Sequence, residues 1–84
     1  MNSNTSYAQS MKCKLYKKFE KVYVKDNTIF QGGAKLPIIE KDGKTFTSKM
    51  EALGGIIFIY DFEKQVVIRK MIANNTEEKY KCIK

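Results

Sequence analysis

Gly54-Gly55-Ile56-Ile57-Phe58-Ile59-Tyr60-Asp61-Phe62-Glu63-Lys64-Gln65-Val66-Val67-Ile68-Arg69-Lys70-Met71-Ile72 is the stretch on which the reading of the fold turns. Two β-branched, aromatic-rich runs flank the short polar break at residues 61–64, the signature of a hairpin. The first arm, residues 56–60, is apolar at every position rather than at every second one. Such a strand is expected to be covered on both faces, which places it at the centre of a sheet. Five apolar residues would also suit a buried helical turn; the glycine pair before them and the three isoleucines favour strand.

Upstream, the pattern is mostly of the same kind. Residues 48–53 are the exception: Ser48 with Glu51 three places on is a capping box, and Gly54 can end a helix. One to two turns of helix are therefore expected at 48–53. Before them, Asp42-Gly43 between apolar runs signals a hairpin. Residues 35–40 read as an edge strand, because Pro37 lacks a ladder donor. Gly32-Gly33 and Asp26-Asn27 mark turns on either side of a short strand at 28–31. Residues 21–25 alternate with Val22 and Val24 inward, and residues 11–16 alternate with Met11, Cys13 and Leu15 inward. The inward parity changes between Leu15 and Val22, so a turn or bulge is expected around residues 17–20.

Downstream, residues 73–78 form a polar connection and residues 79–83 a last short strand, with Tyr80 and Cys82 on one face between lysines. Short strands with turn signals between them predict a mainly β fold. The expected form is a small, strongly bent antiparallel sheet or partly closed barrel of about five to seven short strands, with one short helical turn at 48–53. Residues 1–10 read as a flexible polar tail and 11–84 as a single small β domain.

At 84 residues and 43% hydrophobic, the chain has enough apolar material for one compact core and too much for a disordered segment. No apolar run approaches the roughly 18 residues of a membrane helix. The first residues have neither the basic nor the apolar region of a signal peptide, so the expected residence is cytoplasmic. Two cysteines, Cys13 and Cys82, make no disulfide framework and are expected to stay reduced there, as buried small side chains. A second expectation is that they face each other because the terminal strands pair. With no histidine and no third cysteine, neither a zinc site nor any other cofactor is expected.

The net charge of +7 is unevenly spread. Residues 11–25 hold six lysines against Glu20, and residues 64–84 hold six basic residues against Glu77 and Glu78. Residues 26–63 hold four lysines against six acids. If the two basic ends meet in space, they make one cationic surface. All but one of the basic residues are lysine. An AT-rich coding sequence writes lysine by default, so the choice of lysine over arginine carries no information; the positive balance does.

These charges point to a non-enzymatic module binding nucleic acid or another polyanion. Lys12, Lys14, Tyr16 and Lys18 share one parity, and Lys21, Tyr23 and Lys25 share the outward parity of the next strand. Ammonium groups would meet phosphates while Tyr16, Tyr23 and Tyr80 stack on bases, with Arg69, Lys70, Lys79 and Lys81 extending the patch. The competing account is a solvated face whose tyrosines pack across strands and whose lysines deter aggregation. Arg69, the lone arginine, could clamp a phosphate or pair with a carboxylate such as Asp61 or Glu63. Neither glycine pair completes a phosphate-loop fingerprint.

Without histidine there is no ordinary triad or acid–base pair, and a histidine-free ribonuclease built on Lys, Tyr and Arg is the one catalytic alternative. The runner-up function is an accessory or inhibitor protein of phage or plasmid type. It would dock on a protein partner through the acidic middle and the edge at residues 35–40. A core this small also invites a homo-oligomer.

Overall fold

A computed structural model of the chain describes residues 9–15 and 17–83. Eight strands follow one another: β1 (Ser10–Leu15), β2 (Lys18–Lys25), β3 (Thr28–Gln31), β4 (Ala34–Asp42), β5 (Thr45–Met50), β6 (Ile56–Asp61), β7 (Val66–Met71) and β8 (Thr76–Ile83). Each pairs antiparallel with the next, and β8 returns to β1, so the sheet closes into a barrel. The expected mainly β, barrel-like fold is present, with more strands than anticipated and full rather than partial closure.

The core follows from alternation. Met11, Cys13 and Leu15 on β1, Val22 and Val24 on β2, Ile29, Leu36, Phe46, Phe58, Tyr60 and Val67 are all buried inside. Phe62, from the β6–β7 turn, closes one end by meeting the Phe46 ring edge-on at 5.6 Å. That end, here the lower one, also carries the β2–β3 and β4–β5 turns. Across the interior the Tyr60 hydroxyl donates to Gln31 Oε1 at 2.6 Å, tying β6 to β3. Burial pushes the Tyr60 hydroxyl far above tyrosine's ordinary range.

Two strands make the corners. β4 pairs with β3 from Ala34 to Pro37 and with β5 from Ile38 onward. A bulge between Ile38 and Glu40 absorbs the change and turns Ile39 out to solvent. β4 as a whole lies between two strands, yet residues 35–37 pair on the β3 side alone and residues 38–40 on the β5 side alone. The edge expected at Pro37 thus holds locally, where a missing donor is tolerated. β8 pairs with β7 from Thr76 to Lys81, then with β1 at Cys13↔Cys82 and Lys12↔Ile83. At that seam Cys13 and Cys82 form a disulfide with Cα atoms 4.1 Å apart. The expectation of reduced thiols is therefore corrected; the expectation that the two face each other holds.

Three further readings change. No helix forms at 48–53. Thr45–Met50 is strand, and Phe46, Ser48 and Met50 face inward by a period of two, outcompeting the capping box. Ser48 is fully buried between Ile38 and Phe58 in the register, and its hydroxyl has no hydrogen-bond partner among the described residues. The chain turns instead at Leu53, Gly54 and Gly55, all with positive φ. A Cβ at Gly54 would come within 2.8 Å of the Ala73 side chain, so this turn requires glycine.

The parity change near Leu15 needs no bulge, since a two-residue loop with Leu15 opposite Lys18 produces it. Finally, β6 is not covered on both faces. Ile56, Phe58 and Tyr60 enter the core, while Ile57 and Ile59 face outward, half-shielded by their cross-strand neighbours.

Candidate nucleic-acid interface

The β1–β8 seam decides where the charges go. On β1, Lys12 and Lys14 are exposed between buried Met11, Cys13 and Leu15. On β8, Lys79, Lys81 and Ile83 are exposed on either side of half-buried Tyr80 and buried Cys82. On β2, Lys21 and Lys25 point outward with Tyr23, alternating with Val22 and Val24. Since β8, β1 and β2 are neighbours, Lys79, Lys81, Lys12, Lys14, Lys21 and Lys25 share one outer face. Lys12 stands directly opposite Lys21, an arrangement of like charges that raises the positive potential of this face. The one acid of β1 and β2, Glu20, is half-buried opposite Cys13 on the inner side.

The aromatic groups are less available than expected. Tyr23 lies opposite Phe30, and the two rings stack at 4.8 Å with 4° between planes. Lys21 Nζ covers the Tyr23 ring at 5.5 Å, and Lys35 Nζ covers the Phe30 ring at 5.7 Å. The row Lys21–Tyr23–Phe30–Lys35 is therefore a closed cation–π and stacking unit across β2, β3 and β4. Phe30 and Lys35 are not among the residues expected from the sequence, although the Asp26-Asn27 turn sets Phe30 opposite Tyr23 and the Gly32-Gly33 turn sets Lys35 opposite Phe30.

Tyr80 turns toward the core and its hydroxyl donates to Glu78 Oε1 at 2.7 Å. Arg69, expected opposite Asp61 or Glu63, instead donates to Glu78 Oε1 from Nη2. Its guanidinium carbon sits 5.9 Å from the centre of the Tyr80 ring. The Tyr80 hydrogen bond, and then the Arg69 charge, hold the Glu78 carboxyl below its ordinary range.

The remaining candidates scatter. Lys70 is exposed on β7 opposite Glu77, two strands from Lys12. Lys18 lies opposite Leu15, with the inner parity of β2, and is exposed only because it stands at the upper rim. Tyr16 lies outside the described residues. Phe19, half exposed opposite Lys14, takes the outward place that had been read for Lys18.

No group of three or more metal-ligating side chains gathers among the described residues. No family model, curated protein or solved structure matches the chain.

Proposed function

We propose that this barrel is a non-catalytic binding module that holds a polyanion, nucleic acid foremost, against the outer face of β8, β1 and β2. One observation carries the reading: pairing of β1 with β8 aligns lysines that lie about 70 residues apart in sequence. Lys12, Lys14, Lys21, Lys25, Lys79 and Lys81 supply the contacts, with successive outward lysines on a strand roughly 6–7 Å apart.

Because the Tyr23 and Phe30 rings are engaged with each other and with lysines, and Tyr80 is turned inward, the ligand is gripped by its phosphates. Its bases go largely unread. Arg69 and Tyr80 belong on this reading to the scaffold, since both engage Glu78.

Oligonucleotide binding measured at several salt concentrations tests this. A log–log slope matching roughly three to five phosphates is expected, with little difference between homopolymers of different base. Absence of binding at low salt would end the proposal. Binding that survives both high salt and nuclease would point instead to a protein partner. For that alternative the receiving edge would be short, because β4 is paired with β3 up to Pro37 and with β5 beyond it, leaving one open side on each half.

A membrane is not part of the reading. No helix of the described residues is long and apolar enough to cross one. The core is apolar and the outer face of β8, β1 and β2 carries lysines, whereas a membrane barrel keeps an apolar band outside. As for compartment, cytoplasmic residence remains the expectation from the sequence, and the buried disulfide is the feature that favours an oxidising setting.

A further inference from the structure

At the lower end, the corner in β4 leaves a cleft of about 350 Å³ between the β2–β3 turn and the β4–β5 hairpin. Its volume lies at the small end of ligand sites. The apolar part of its lining is Val24, Ile38 and Phe46. Phe46 is fixed from below by the Phe62 ring. Lys25 stands on one wall and Lys41 on the other, with Lys41 Nζ 5.8 Å from the centre of the Phe46 ring.

The turn wall is stiff: Asp26 and Asn27 both have positive φ in a two-residue hairpin loop, and the Ile38 amide donates to the Asn27 carbonyl. Past Ile38, β4 has β5 on one side and no strand on the other among the described residues, so backbone groups also face this side.

Two ammonium groups against one carboxylate, above a rigid apolar floor, select a ligand that is anionic at one end and apolar at the other. We infer that the cleft binds a small amphiphilic anion, a phosphate monoester or carboxylate bearing one aromatic or aliphatic group. The charged end would sit between Lys25 and Lys41 and the apolar group over Phe46. The cleft shares Lys25 with the polyanion reading, but Lys41, Ile38 and Phe46 are not on the lysine face.

Amide-resolved NMR titration of the full chain with phenyl phosphate, inorganic phosphate and phenol tests it. Phenyl phosphate is expected to shift the amides of Asp26, Asn27 and Ile38, with a midpoint at least about tenfold lower than inorganic phosphate because the ring is buried. Phenol, lacking the charge, should bind more weakly than phenyl phosphate. Lys41→Gln should weaken phenyl phosphate by about fivefold, whereas Lys49→Gln, toward the other end of β5, should not change it. Equal midpoints for phenyl and inorganic phosphate would overturn the inference. So would phenol binding as tightly as phenyl phosphate, shifts centred on β1 and β8, or no shift at all. The Ile38 amide and the Lys41→Gln variant report on the cleft alone, and the amides of β1 and β8 on oligonucleotide binding, so either proposal can fail without the other.

Discussion

The outer faces of β8–β1–β2 and of β5–β6–β7 enclose the same core, yet they meet solvent in opposite ways. On the first, six outward positions are lysines and one, Tyr23, is an aromatic ring covered by a lysine. On the second, Thr47, Ile59 and Ile68 lie in one row across three strands, with Ile57 and Val66 above and below. All five are half-buried without any second layer over them. Cross-strand contact between branched side chains gives this shielding, which a row of lysines cannot give itself. A fully apolar strand is thus no proof of burial on both sides.

Breaking the seam should have the largest effect. Replacing both Cys13 and Cys82 by serine is expected to cost about 4 kcal/mol in urea unfolding, from the loop of roughly 70 residues that the disulfide closes. It should also lower oligonucleotide affinity by detaching Lys79 and Lys81 from Lys12. A stability loss under 1 kcal/mol would mean the seam holds without its staple.

Within β6 the two sides can be compared directly. Phe58→Ala is expected to cost about 3–4 kcal/mol as a core cavity, and Ile59→Thr about 1 kcal/mol or less. Similar losses would show that the outer isoleucines are as structural as the inner phenylalanine. Next in size, Lys12→Gln with Lys21→Gln should reduce the salt slope by roughly two phosphate contacts, while Ile59→Thr leaves it unchanged.

The smallest effect concerns the link between the two faces. Tyr60→Phe removes the hydrogen bond to Gln31 and should cost about 1 kcal/mol, measured by thermal or urea unfolding. Tyr60 also gives a pH signature. Its folded pKa is raised, so the stability it contributes is full below pH 10 and falls as pH rises above that value, where the unfolded tyrosine ionises. In an absorbance titration Tyr60 should stay protonated above pH 10, the value at which free tyrosine ionises.

Strand periodicity was legible wherever one face was wet: β1, β2 and β8 were placed by alternation, and the β6–β7 hairpin by its polar break. Register was harder. A two-residue loop flips the inward parity by itself, which moved Lys18 off the lysine face and Phe19 onto it. Ser48 with Glu51 satisfies a helix cap locally, but Phe46, Ser48 and Met50 satisfy the core in common, and the core decides. The Arg69–Glu78–Tyr80 cluster depends on β7–β8 pairing, and the disulfide on β1–β8 pairing. The second of these lies beyond any local pattern, and it is the one that gathers the lysines.

The two-pair seam also orders the events of folding. Every other strand contact joins neighbours in the chain, so seven hairpins can zip up from short loops at modest entropic cost. Closure alone must wait for segments some 69 residues apart to find each other. Until it does, β1 and β8 each present a bare hydrogen-bonding edge to whatever chain is nearby. The like charges along them then serve a second purpose, keeping one unfinished barrel from zipping onto another.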